Sequence, residues 1–331
     1  MRRAFLDDRF GASHFLKPVL DGDPDAFFAN GDDPLSQRQW ARENGLPKNA
    51  DLSTILLAQI EAHRTEIFYC LDPVRYGNAF LKRLPGSVKK TIAWRAAPSA
   101  TEPFDSYDLV INNFPSLLAR YRQRGMRAAY FAPGHDPAMD SYGVGARPVD
   151  ILFVGGFSRH HRRRADLLEH VAAARAGYSI RFHLDQSKLT RLAGSPLGLL
   201  PPLRALRLPS DIRAVARPPI FGRELYAALG QAKIVINGAI DMAGEDRGNM
   251  RCWEAMGCGA ALLSDRGHYP EGMTEGTTIR TYGSAAEAGS ILRELLTEDV
   301  ERERLAHRGR AMIRSLYSKE HQWAAFRSLA G

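Results

Sequence analysis

Short apolar runs alternate with amphipathic stretches through most of the chain. In its first part RRAFL, EIFYCL, KKTIAWR, YDLVINN and RAAYFAP read as strands. Between them the helical pattern falls in STILLAQIEAH, from Tyr76 to Leu84, and in PSLLARYRQRG. Apolar runs of this length suit strands covered on both faces, and the helices between them supply the cover. The pattern predicts a parallel sheet flanked by helices. Residues 133–148, PGHDPAMDSYGVGARP, interrupt it with proline, glycine and aspartate and mark a domain boundary.

A second alternation follows, with strands VDILFVGG, YSIRFHL, KIVIN, AALLSD and TTIRTY. Its helices are a basic one from about Arg159 to Arg175, GRELYAALGQA, NMRCWEAMG and a closing set from Ala285. Between Ser187 and Phe221 lies an irregular stretch with six prolines and several arginines, a length of loop that is usually functional or mobile. A chain of 331 residues exceeds the usual size of one core. The expected fold is therefore α/β, with two Rossmann-like doubly wound parallel-sheet domains. In such sheets the ligand crevice lies beyond the carboxyl ends of the strands, so the residues that follow strands carry the functional question.

Forty-five Lys and Arg against 37 Asp and Glu leave a formal charge of +8, which favours anionic partners. The excess is spread along the chain, which suits a phosphorylated small molecule at least as well as nucleic acid. Three cysteines, none in ligand spacing, argue against a disulfide framework or a zinc site. The opening MRRAFLDDRF places acids where a secretory signal needs an apolar run, and no run is long enough to cross a bilayer. A cytoplasmic location is expected, with contact at the inner face of the membrane left open.

The stretch DRGNMRCWEAMGCGAALLSD, residues 246–265, concentrates the candidate chemistry. A helix beginning near Gly248 puts Arg247, Arg251 and Glu254 on one polar stripe and Met250, Trp253 and Gly257 on an adjacent packing face. The free N–H groups at Gly248 and Asn249, the positive end of the helix dipole and Arg251 together suit a phosphate group. Glu254, one turn deeper, suits the hydroxyls of a ribose. An Arg–Glu pair on a solvated helix with a glycine stop accounts for the same residues.

In FVGGFSRHHRRR, Gly155 and Gly156 allow a diphosphate to approach the backbone, Ser158 caps a helix and Arg159 begins a basic cluster. It is neither G-x-G-x-x-G nor a P-loop, so the dehydrogenase and kinase readings fail here. Arg162 to Arg164 read as a solvated face. In DDRFGASHFLKP, after the first expected strand, Asp7, Asp8 and His14 are candidates for acid–base work, with a structural histidine as the alternative. Asp72 and His135 occupy comparable positions, and His268, after AALLSD, is placed to touch a donor sugar. The Pro/Arg stretch could embrace a base, a charged acceptor or a lipid surface, or serve as a plain connection.

With FGRELYAALGQAKIVIN ahead of it, NMRCWEAMGCGAALLSD resembles the donor-binding half of a GT-B glycosyltransferase, of the bacterial family-1 type that includes spore-maturation-protein-like enzymes. The shared pattern is N-x-R-x-x-E-A-M-x-x-G. FYCLDPVRY, KKTIAWRAAPS and YDLVINNFPSLLARYRQRG are similar to the acceptor half. The resemblance implies two domains facing a central cleft, at residues 1–140 and 141–317, with a closing helix at 318–331 that packs back on the first. It implies transfer of a sugar from a nucleotide diphosphate sugar to a hydroxyl acceptor in bacterial polysaccharide or glycoconjugate synthesis, with no metal and no cofactor beyond the donor. The acceptor is then a glycan, a lipid-linked molecule or a small molecule, and nucleic acid is not a partner. In related families two acidic residues with seven between them serve the transferred sugar and the ribose. Asp246 and Glu254 have that spacing, with Asp in place of the usual Glu. If the anomeric centre inverts, a base such as His14 or Asp8 is required; if it is retained, the leaving phosphate itself is the expected proton acceptor. A nucleotide-sugar epimerase and a catalytically silent binding module stand as alternatives.

Overall fold

The computed structural model describes residues 2–98, 103–157, 162–185, 187–196, 200–201, 203–238 and 243–331. The chain divides into two compact units, Met1–Gly134 with Lys319–Gly331, and His135–Ser318.

In the first unit four parallel strands, β1 (Ile67–Cys70), β2 (Lys90–Trp94), β3 (Leu109–Asn112) and β4 (Ala128–Tyr130), lie side by side in chain order. Ile92, Trp94, Ile111 and Phe131 form its core with Leu16 and Phe326. Helices Pro34–Glu43 and Leu52–Ala62 precede the sheet, each started by an aspartate, Asp33 or Asp51, whose carboxylate accepts first-turn N–H groups. RRAFL, expected as the first strand, belongs instead to the helix Arg2–Asp8. The helix satisfies its own backbone without a sheet neighbour, and its Phe5 ring packs 5.4 Å from Phe28 and 6.5 Å from Phe15.

The closing helix Lys319–Ala330 is held by a buried ammonium. Lys319, 2% exposed, donates to the carbonyls of Ala12 at 2.9 Å and Phe15 at 2.7 Å and to Gln322 Oε1 at 2.8 Å. The Gln322 amide in turn donates to the Ser13 carbonyl at 2.9 Å. A buried charge persists only where hydrogen bonds replace its water, so this cluster organises the turn Ala12–His14 around one side chain.

The second unit carries six parallel strands: β5 (Val149–Gly156), β6 (Ile180–Asp185), β7 (Ala216–Arg217), β8 (Ala232–Ile236), β9 (Ala261–Asp265) and β10 (Arg280–Tyr282). They lie in the order β10-β9-β8-β5-β6-β7. Strand order thus reverses at β5, the winding of a dinucleotide-type fold. Ile151, Phe153, Phe182, Ile234, Ile236 and Leu263 project from one face onto Leu167, Leu168 and Val171 of the helix Arg162–Ala173 and Ile291, Leu292 and Leu295 of the helix Ala285–Thr297. The alternate residues Leu152, Val235 and Leu262 are buried as well, so the sheet is covered on both sides. β7 was hidden in the stretch read as irregular, which also holds helices Lys188–Ala193 and Ser210–Val215 and the 3₁₀ turn Leu203–Leu206. Buried Ile212 and Val215 return that stretch to the core. Among the described residues no helix is long and apolar enough to cross a membrane.

Replacing Lys319 by methionine strands the carbonyls of Ala12 and Phe15, and we expect a loss of about 3 kcal/mol. Urea unfolding of the full chain measures it. A change below about 0.5 kcal/mol, the scale of an ordinary surface substitution, would refute the organising role of this ammonium.

Candidate functional site

The reversal of strand order puts the ligand crevice of the second unit beyond the carboxyl ends of β5 and β8. Gly155 and Gly156 are the last residues of β5, paired with Leu184 and Asp185 of β6, rather than part of a turn. A Cβ added at Gly155 would lie 3.1 Å from the Phe153 ring, whereas one at Gly156 would meet nothing within 4 Å among the described residues. The backbone at Gly156 is therefore open to close approach. Ser158 and Arg159 lie outside the described residues.

Arg164 corrects the reading of its run as a solvated face. Arg162 and Arg163 are exposed, but Arg164 is 8% exposed and its guanidinium donates to the Gly156 carbonyl at 3.5 Å and to the Gly238 carbonyl. It joins the end of β5 to the segment that follows β8. A signal for this was present: Arg164 stands three, four and seven residues ahead of Leu167, Leu168 and Val171, on the stripe that faces the core.

From β8 the network continues to the helix Met250–Gly257. The Asn237 side chain donates to Ser264 Oγ at 3.0 Å and accepts from the Asn249 amide at 3.1 Å. The Tyr282 hydroxyl donates to the Asn237 carbonyl at 2.8 Å. Asn249 is the N-cap residue, with extended backbone, yet its side chain makes no capping bond. Turned toward Asn237, it leaves the first-turn N–H groups of the helix uncapped by a side chain, the arrangement an anion would complete.

The helix starts two residues later than the sequence suggests because Gly248 sits at φ 102°, where a Cβ would come within 2.7 Å of the Pro270 ring. Arg247 is consequently off the helix and off the stripe of Arg251 and Glu254. It is buried, paired with Asp265, and donates to the carbonyls of Gly244 at 2.8 Å and Asp246 at 3.0 Å. Asp246 and His268 are brought side by side through their backbones, with Arg247 N–H donating to the His268 carbonyl at 2.8 Å. Asp246 is 7% exposed, whereas His268 is exposed.

Arg251 and Glu254 form an ion pair, Nη1 to Oε2, at 2.6 Å, with side-chain exposures of 19% and 5%. The pair is not on a solvated face. Burial raises the Glu254 carboxyl above its ordinary range, and the Arg251 charge and hydrogen bond oppose that rise. Arg251 Nε is buried with no hydrogen-bond partner among the described residues.

Asp8 is exposed at the end of the helix Arg2–Asp8 in the first unit, and His14 lies in the 3₁₀ turn Ala12–His14, so neither follows a strand. The His14 ring sits 4.4 Å from the Trp94 ring. Burial, aided by the neighbouring Lys319 charge, pushes it down to about 3, and the imidazole is neutral at neutral pH. Asp72 is exposed, 3.6 Å from Arg75, and buried His135 lies 3.2 Å from Asp140. Among the described residues no group of three or more His, Cys, Asp and Glu side chains is placed to hold a metal ion.

Residues 162–328, about half of the chain, match a family model described as glycosyl transferase-like. No curated protein shows significant similarity to the chain. Among solved structures, sucrose-phosphate synthase from Thermosynechococcus elongatus is similar at 14% identity and a TM-score of 0.58, over 88% of this chain and 78% of that one. HepE from Anabaena, in complex with UDP and glucose, is similar at 13% identity and a TM-score of 0.61, over 84% and 80%. A glycosyltransferase from Rickettsia africae is similar at 11% identity and a TM-score of 0.57, over 92% and 83%.

The raised Glu254 carboxyl makes stability depend on pH. The folded chain holds this proton more tightly than the unfolded chain, so the group's contribution is fully present below its ordinary range near 4.5 and is lost as pH rises through the raised value. Denaturant unfolding from about pH 4 to about pH 8 should show that loss, and Glu254→Gln should flatten the profile in the window. Parallel profiles for the two proteins would show that Glu254 is not the group responsible.

Proposed function

Because the chain belongs to the glycosyl transferase-like family, we propose that it moves a sugar from a nucleotide diphosphate sugar to a hydroxyl acceptor, with the donor held by the second unit. The observation that carries this reading is the convergence, at the point where strand order reverses, of the open backbone at Gly156, the uncapped start of the helix Met250–Gly257 and the Arg251–Glu254 pair. In the reaction the bond between the anomeric carbon and the diphosphate lengthens, positive charge grows on the sugar and negative charge grows on the leaving group. First-turn amides and the Arg251 guanidinium meet that negative charge where it develops. Their dipoles are already oriented, so little reorganisation opposes the step.

Glu254 is proposed to accept hydrogen bonds from the ribose hydroxyls through Oε1 while Arg251 holds Oε2. Asp246 and His268, joined through their backbones, are proposed to lie near the transferred sugar. His14 or Asp8 is proposed to take the proton from the acceptor, with the departing diphosphate as the alternative; burial lowers the His14 pKa to about 3, which makes the ring a weak base at neutral pH. The acceptor is proposed to be a glycan or lipid-linked hydroxyl met at the inner face of the membrane, in bacterial polysaccharide or glycoconjugate synthesis. Arg159 remains a proposed contact to the diphosphate, and the donor is the one small molecule the mechanism needs.

HepE is seen with UDP and glucose, so UDP-sugars are the first donors to test. We expect one of a panel of nucleotide sugars to raise the thermal transition of the full chain. Glu254→Gln should weaken that donor's binding by about 10- to 100-fold, the worth of a hydrogen bond to a charged group. Arg251→Ala should lower the rate of nucleotide release in the presence of acceptor by about 100-fold or more while the protein stays folded. No stabilisation by any nucleotide sugar would end the donor-site reading, and full turnover in Arg251→Ala would place the leaving group elsewhere.

A further inference from the structure

The stretch between β6 and β7 displays side chains that the transfer chemistry does not use. The helix Lys188–Ala193 starts at Ser187, whose Oγ accepts from the Thr190 N–H at 3.1 Å, and packs on the 3₁₀ turn Leu203–Leu206. Ala193 is buried, while Leu189 and Leu192 are 57% and 42% exposed and Leu200 is 59% exposed. Lys188 and Arg191 of the same helix and Arg204 of the 3₁₀ turn are exposed as well. Residues 187–221 contain six basic residues and a single acid, Asp211, and that acid is paired with Arg175 at 2.6 Å. On the helix, Leu189 and Leu192 are three residues apart, as are Lys188 and Arg191, so leucines and cations form neighbouring stripes.

Isolated exposed leucines are ordinary, but leucines gathered among cations need a partner that suits both. A soluble polyanion leaves the leucines in water, and an apolar protein groove strips the cations of theirs. An anionic bilayer satisfies the two together, with phosphate headgroups for Lys and Arg and the acyl boundary for Leu. The placement adds a consequence. Asp185, at the end of β6, pairs with Gly156, so this stretch leaves the sheet beside the open backbone of the crevice.

We propose that the surface formed by the helix Lys188–Ala193, Leu200 and Arg204 seats the protein on an anionic lipid bilayer. The crevice at the ends of β5 and β8 is thereby held next to the interface, where a lipid-linked acceptor would present its hydroxyl. That second clause rests on the donor-site reading above; the bilayer contact does not.

The test is sedimentation of the full chain with vesicles of phosphatidylcholine alone or mixed with phosphatidylglycerol. Binding is expected only to the mixed vesicles and should weaken as salt rises. Lys188→Glu with Arg191→Glu, and separately Leu189→Ser with Leu192→Ser, should each lower partitioning about tenfold or more, with thermal transitions showing that both variants are folded. Equal binding to both kinds of vesicle, binding to neither, or variants that sediment like the parent protein would overturn the proposal. Retention on heparin without vesicle binding would reassign the cations to a soluble acidic glycan and overturn it too. Stabilisation by UDP-sugars, measured without vesicles, separates the two readings. Vesicle binding without it leaves the bilayer contact standing and the donor site refuted, and stabilisation without vesicle binding does the reverse.

Discussion

The second unit depends on one buried cation. Arg164 takes a guanidinium to the carboxyl ends of β5 and β8, where it donates to the carbonyls of Gly156, the last residue of β5, and Gly238, two residues beyond β8. In a parallel sheet whose order reverses, helices depart to opposite faces at that point. Carbonyls at such an edge need donors, and a planar guanidinium reaches two at once. Asn237 and Asn249 extend the same connection to the helix Met250–Gly257, so the open backbone and the uncapped helix start are parts of one hydrogen-bonded frame.

The Arg251–Glu254 pair illustrates what such a frame costs and provides. Removing a carboxylate from water is unfavourable, and the raised Glu254 proton affinity records that burial outweighs the stabilisation from Arg251. A solvated pair at the same spacing would be worth a few tenths of a kcal/mol. Burial makes it instead a pair held in one place, 2.6 Å apart, in the first turns of the helix.

The first unit uses a buried charge differently. Lys319 gathers the carbonyls of a turn far away in sequence. Burial, aided by the Lys319 field, lowers the proton affinity of His14, whose ring lies against Trp94. Position after an apolar run was a poor guide here, because RRAFL is a helix and the acidic residues behind it follow no strand.

The alternation of apolar runs and amphipathic helices was enough to place most of the strands, because burial of both sheet faces demands continuous apolar stretches wherever the strand lies. Asn249, Arg251 and Glu254 were legible for a similar reason, since a glycine before a helix and a charged pair within it are local features. Tertiary structure decided the rest. β7, of two residues, is too short to print a pattern and exists only because β6 offers it a ladder. Arg164 looked like its exposed neighbours until the sheet showed which carbonyls it meets, and Arg247 left its stripe because the chain passes Gly248 at positive φ, against a Pro270 ring that leaves no room for a Cβ. A sequence declares which residues are apolar and which carry charge; which buried polar group meets which partner is settled only when distant segments are brought together and every stranded donor and acceptor has to be answered.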